Sequence, residues 1–223
     1  MHSSFEKLLL IKNKVKEIVN EKQLKTDPKI IVVTKTFSLD KISILIEKGH
    51  SHFGENKIQE AENKWTELKT QNTNLQLHMI GKLQTNKSKR AVKLFNFIHS
   101  LDNEKLALKL DQHQNQLGKK CKYFIQVDLA QEDQKSGIQL NHLNDFHKYC
   151  TEELSLNIIG LMCLPPINSN STQFFKILHK NAEQLNLKEL SMGMSSDYEQ
   201  AVLSGSTYLR LGTVILGSRS LLD

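Results

Sequence analysis

Short apolar runs and amphipathic segments alternate along almost the whole chain, and this alternation limits the fold more than any other feature. Eight runs read as strands: Ile30 to Lys35, His52 to Asn56, Leu75 to Gly81, Phe97 to Asp102, Cys121 to Leu129, Asn157 to Leu164, Leu190 to Met194 and Tyr208 to Leu211. An opening helix sets Phe5, Leu8, Ile11, Val15 and Ile18 on one face and breaks at Asp27-Pro28. Helices are predicted near 39–49, 57–69, 86–94, 106–118, 143–150, 174–185 and 197–204. Gly49, Gly118 and Gly205 serve as stops. Strands that are apolar throughout suit parallel pairing with both faces covered. The predicted architecture is an α/β fold, a (β/α)8 TIM barrel, with one domain spanning residues 1–223. An open doubly wound sheet competes, but no glycine-rich fingerprint follows the first strand.

In such a barrel the strand ends meet at one mouth, where side chains can do chemistry. Lys35 closes the first strand. An amine partly withdrawn from water there has its lone pair available and condenses readily with an aldehyde. The plainer alternative is a strand-end lysine reaching into solvent. Ser191-Met192-Gly193-Met194-Ser195-Ser196-Asp197 follows the seventh strand, and Ser196 and Glu199 have capping-box spacing. A helix starting near Asp197 would turn free N–H groups toward the rim, with Gly193 allowing close approach and Ser195 offering a hydroxyl. Gly212-Thr213 after the eighth strand supplies a similar donor pair, so a phosphate site between these two loops competes with an ordinary capped helix beside a glycine turn.

Arg210, two residues before Gly212, is a surface charge, the partner of a rim carboxylate, or a donor to a bound ring nitrogen. Asn56 either bonds a ligand's ring substituents or, with Gln59, caps the next helix. His78 is expected to satisfy a backbone group. His50 and His52 share a strand face, but with no third ligand in view no zinc site is expected. Lys135, in the polar loop after the fifth strand, is a candidate second amine. The basic stretch Lys82 to Arg90 reads as a solvated helix face. A secondary phosphate or RNA contact is the alternative there, though no aromatic stacking platform lies nearby.

Composition narrows the classes. Thirty Lys+Arg against 24 Asp+Glu give a net charge of +6, too modest an excess to indicate nucleic acid by itself. Cys121, Cys150 and Cys163 are an odd, widely spaced set that fits a reducing compartment. The N-terminus lacks the basic start and apolar core of a signal peptide, and no apolar run approaches a membrane span. A cytoplasmic protein is expected.

Taken together, these segments resemble the pyridoxal phosphate homeostasis protein family, single-domain barrels that bind pyridoxal 5'-phosphate (PLP). The resemblance rests on Val33-Thr34-Lys35-Thr36, Phe53-Gly54-Glu55-Asn56-Lys57-Ile58-Gln59-Glu60 and His78-Met79-Ile80-Gly81-Lys82-Leu83-Gln84-Thr85-Asn86-Lys87. Ser136-Gly137, Gly160-Leu161-Met162, Ser191-Met192-Gly193-Met194-Ser195 with Asp197, Gly205-Ser206-Thr207 and Arg210-Leu211-Gly212-Thr213 complete it, in the family's order across nearly the whole chain. It implies a barrel like the N-terminal domain of alanine racemase and a Schiff base between Lys35 and PLP. It also implies that Arg210 faces the pyridine nitrogen and that Ser195, Gly212 and Thr213 hold the phosphate. Ser191, Gly193, Met194 and Asn56 are further candidate contacts, with His78 and Lys135 at the margin. Three positions depart from the family's pattern: Phe37 replaces a basic residue, and Leu77 and Met79 replace an aromatic pair around His78.

The role implied is vitamin B6 homeostasis, with cofactor held and delivered to apo PLP-dependent enzymes and amino-acid balance as a consequence. Only six residues follow Gly217, so no second domain is expected to complete a racemase-like site. The alternative is an amino-acid racemase-like enzyme with Lys35 as base.

Overall fold

The computed structural model describes residues 3–130, 136–166 and 169–217. Its strands are β1 (Lys29–Val33), β2 (His52–Glu55), β3 (Gln76–Met79), β4 (Phe97–Leu101), β5 (Lys122–Asp128), β6 (Ile138–Gln139), β7 (Asn157–Met162), β8 (Glu189–Ser191) and β9 (Tyr208–Leu211). Eight of them run in the order β4-β3-β2-β1-β9-β8-β7-β5, and a parallel β4–β5 pairing closes the ring. The fold is therefore the expected barrel of eight parallel strands. β6 was not predicted; it pairs only with the end of β5, Val127 with Ile138, and lies outside the ring. Two residues are too few to carry a periodic signal.

The helices are α1 (Ser4–Glu21), α2 (Asp40–Glu47), α3 (Ile58–Gln71), α4 (Ser88–Leu94), α5 (Glu104–Leu117), α6 (Leu143–Lys148), α7 (Ser171–Gln184), α8 (Tyr198–Leu203) and α9 (Thr213–Leu216). α1 starts with a capping box: Glu6 N–H donates to Ser3 Oγ at 3.2 Å, and Ser3 N–H donates to Glu6 Oε2 at 2.7 Å. Its Leu8, Ile11, Val15 and Ile18 are buried on one face, and it packs against α2, α8 and α9.

Strand side chains alternate between two cores. Ile30 and Val32 face outward into the large aliphatic layer beneath the helices. Ile31 faces inward and packs with Phe97, Phe124, Met162 and Tyr208. Two histidines belong to this inner layer: His78 stacks on Phe97 at 4.3 Å and His99 on Phe124 at 4.2 Å between ring centroids. Phe37, Leu77 and Met79 are buried in the outer layer, so the departures from the family pattern do not alter the mouth wall. β7 approaches β8 so closely that a Cβ on Gly160 would lie 1.9 Å from the Glu189 carbonyl oxygen, which only glycine avoids.

All three cysteines are free and buried. Among the described residues no helix is long and apolar enough to cross a membrane.

Candidate functional site at the barrel mouth

Because every ring strand points the same way, the residues just past the strand ends gather at one mouth. A cavity of about 590 Å³ lies at the opposite end. The mouth itself holds about 830 Å³ and is lined by Lys35, Asn56, Lys82, Asp128, Met194, Ser195, Arg210, Gly212 and Thr213, among others. That volume suits a small cofactor.

Lys35 is half-buried two residues beyond β1, and a buried ionic cluster fixes its backbone. Glu55, the last residue of β2, has no exposed surface. Its Oε1 accepts from Thr34 Oγ1 at 2.7 Å, from Lys64 Nζ at 2.9 Å and from Trp65 Nε1 at 2.9 Å. Lys64 Nζ also donates to the Thr34 carbonyl at 2.7 Å and pairs with Glu60 at 3.2 Å, while Glu60 accepts from the Thr36 N–H. Thr36 sits at φ +66°, a left-handed conformation that a β-branched residue rarely adopts. Such strain costs on the order of 1–3 kcal/mol, persists only where the surroundings over-determine it, and here it immediately follows the candidate amine.

Arg210 reaches the mouth from β9 while only 4% exposed. Nη1 donates to Ser191 Oγ at 2.7 Å and Nη2 to the Cys163 carbonyl at 2.9 Å. Among the described residues no carboxylate lies within the 4.0 Å of an ion pair. Burial lowers its pKa, with Cys163 and Asp197 opposing. A buried, unpaired guanidinium facing a cavity is a strong donor awaiting an acceptor.

The loops after β8 and β9 meet at Ser195. Gly212 N–H and Val214 N–H both donate to its Oγ, at 3.3 and 3.4 Å. These are long bonds, and they leave two backbone donors and a hydroxyl clustered with Thr213 at the cavity edge. The expected capping box of Ser196 and Glu199 does not form. Asp197 occupies the N-cap of α8 without a side-chain cap bond, and its carboxylate turns back to accept from Met194 N–H at 2.7 Å. The helix begins one residue later than a box on Ser196 requires, so with Asp197 at the N-cap Glu199 falls at the second helical position instead of the third.

The remaining candidates sort by position. Asn56 lines the mouth and does not cap α3, which has Lys57 at its N-cap and no side-chain cap bond. Ser191 is fully buried behind Arg210 rather than at the mouth wall. Gly193, at φ +92°, lies beneath Ala201 and Leu209, where a Cβ would meet Ala201 Cβ at 2.5 Å. Among the described residues the His78 ring bonds no backbone group. It lies inside the barrel, with Nε2 2.9 Å from His52 Nδ1 and Nδ1 2.9 Å from His99 Nε2. Histidines on adjacent parallel strands face one another there, which spacing along one strand cannot reveal. Lys135 lies outside the described residues. Among the described residues no three His, Cys, Asp or Glu side chains are placed so as to hold a metal ion.

Two contributors were not foreseen. Lys82 lines the mouth, though its basic segment reads as a solvated face. The Glu55–Lys64 pair is invisible as a motif, since its members lie on β2 and α3 and meet only when α3 packs back. From the same basic segment, Arg90 instead forms an ion pair with Glu62 and donates to Gln59 Oε1 at 2.7 Å.

Residues 10–220 match the alanine racemase N-terminal domain family. The chain is similar to the pyridoxal phosphate homeostasis protein of Pasteurella multocida, 35% identical over 201 residues and covering 86% of each chain. It is 33% identical to that of Escherichia coli K12, with 85% of each covered. Among solved structures, PipY of Synechococcus elongatus with PLP bound superposes with a TM-score of 0.80 at 33% identity, over 91% of this chain and 100% of that one. Alanine racemase of Clostridium difficile shares the fold, with a TM-score of 0.69 at 13% identity over 91% of this chain and 54% of that one. The chain belongs to the pyridoxal phosphate homeostasis protein family, built on the alanine racemase N-terminal domain.

Proposed function

We propose that this protein binds PLP at the barrel mouth through a Schiff base to Lys35, holds it in reserve and delivers it to apo PLP-dependent enzymes. One observation carries the reading. A half-buried amine, a buried arginine without a carboxylate partner and a cluster of hydroxyl and backbone donors share one cavity. These groups fit the three ends of the cofactor. Its aldehyde condenses with a primary amine with loss of water, its pyridine nitrogen accepts a hydrogen bond, and its phosphate takes several donors.

Lys35 supplies the amine. Arg210 offers N–H to the ring nitrogen and, being always protonated, disfavours ring protonation. Ser195, Gly212 and Thr213 hold the phosphate, with Met194 beside them and Asn56 on the ring side. An unprotonated ring is a poor electron sink, which supports holding over carbanion chemistry. PipY, described with PLP bound at 33% identity, adds support from a relative.

The test is titration of purified, cofactor-free protein with PLP. The wild type gains an absorbance band near the visible edge, and Lys35→Ala does not while remaining folded. An identical band in Lys35→Ala overturns the assignment.

A further inference from the structure

A file of hydrogen-bonded side chains crosses the barrel interior behind Arg210. Arg210 Nη1 lies 2.7 Å from Ser191 Oγ, and Ser191 Oγ lies 2.8 Å from His99 Nδ1. His99 Nε2 lies 2.9 Å from His78 Nδ1, and His78 Nε2 lies 2.9 Å from His52 Nδ1. Ser191, His99 and His78 have no exposed surface. His52 is half-buried at the start of β2 and lines the cavity at the far end of the barrel beside Lys12 and Lys29. The file therefore runs from one end of the barrel to the other.

The proton positions follow from the Arg210 end. A guanidinium donates and never accepts, so Ser191 Oγ accepts from it. The serine hydrogen has His99 Nδ1 as its remaining partner, and any other orientation leaves a buried O–H unsatisfied. His99 then carries its hydrogen on Nε2 and donates it to His78 Nδ1. His78 donates in turn from Nε2 to His52 Nδ1. This scheme needs all three rings neutral, and burial together with the surrounding cations keeps them so. Arg210 faces His99; Lys29 of β1, Lys12 of α1 and Lys122 of β5 face His52.

We infer that Arg210 imposes, through Ser191, a single Nε2–H tautomer on His99, His78 and His52. We infer further that Ser191 and His99 are positioning residues that hold the guanidinium aimed at the mouth. The second statement rests on the PLP reading; the first does not. With Nη1 tied to Ser191 and Nη2 to the Cys163 carbonyl, the guanidinium plane is fixed at two points before any ligand arrives. Polarity runs one way. Loss of the hydroxyl frees every ring below it, whereas loss of His52 leaves His99 still constrained.

Histidine 15N NMR of the ligand-free protein tests the tautomers. The wild type shows Nε2–H forms at all three rings, with His78 and His99 unchanged between about pH 5 and pH 8. Ser191→Ala mixes the tautomers of His99 and His78, and His52→Phe leaves His99 as it was. An Nδ1–H form at His99 in the wild type, or unmoved signals in Ser191→Ala, overturns the scheme. For positioning, Ser191→Ala and His99→Phe shift the absorption maximum of bound PLP and weaken its retention about tenfold, and Ser191→Thr restores both. An unchanged spectrum and retention in Ser191→Ala overturn the positioning role. If wild-type protein takes up no PLP, the positioning role falls with the cofactor reading, while the tautomer result still decides the file.

Discussion

The ammonium of Lys64 donates at 2.7 Å to the carbonyl of Thr34, the residue before Lys35, while pairing at 2.9 Å with the fully buried Glu55. The candidate amine thus projects from a backbone that two strands and a helix hold together. Rigid backbone matters here because a tethered cofactor can be no better oriented than its tether.

Lys64→Met removes the partner of a buried carboxylate and should cost about 3–5 kcal/mol of stability, read from urea or thermal unfolding. The double variant Lys64→Met, Glu55→Leu should recover part of that loss, because no uncompensated charge remains. A single variant as stable as the wild type would contradict the cluster's role.

Gly81 follows β3 against Asn56, and a Cβ there would lie 2.4 Å from the Asn56 carbonyl oxygen. Gly81→Ala should displace Asn56 from the mouth, destabilise by about 1–3 kcal/mol and weaken PLP uptake. Gly118→Ala has open space around the added Cβ, at a φ of +60°, so it serves as the contrast. It should lose stability through backbone strain without losing cofactor. Equal loss of uptake in both would contradict a local effect.

Four histidines make the fold acid-sensitive. Burial holds His50 and His52 at about 4, and His78 and His99 well below the ordinary histidine range. The native rings stay neutral while the unfolded ones take up protons below about pH 6.5, so stability falls as the pH drops through that value toward about 4. Each contributes a slope of up to about 1.4 kcal/mol per pH unit in that window and none above it. The urea midpoint should fall between about pH 7 and pH 5, and fall less in His52→Phe. A flat midpoint would contradict the neutral, buried state.

Ser195→Ala removes the hydroxyl on which the Gly212 and Val214 N–H groups converge. It should weaken binding of PLP, and of inorganic phosphate competing with it, while pyridoxal without its phosphate is affected little. Equal weakening for both vitamers would place the phosphate elsewhere.

The barrel was legible because parallel strands buried on both faces must be apolar throughout, and helices between them must show a three-to-four period. That Lys35, Asn56, Ser195 and Gly212 line the mouth was legible because such a fold gathers residues past its strand ends, and Arg210 joins them from near the end of β9. The histidine file was not, since His52, His78 and His99 sit on three strands and only register and barrel closure bring them into line. The same holds for Ser191: its position at a strand end suggested a ligand contact, but its side chain anchors Arg210. The strain at Thr36 leaves no trace in residue type, because threonine is not chosen for a positive φ.

The most direct measurement is borohydride reduction of the PLP-loaded protein followed by peptide mapping. The account predicts a stable pyridoxyl label on the peptide containing Lys35 and no label there in Lys35→Ala. A label on another lysine in the wild type, with Lys35 unmodified, would contradict it.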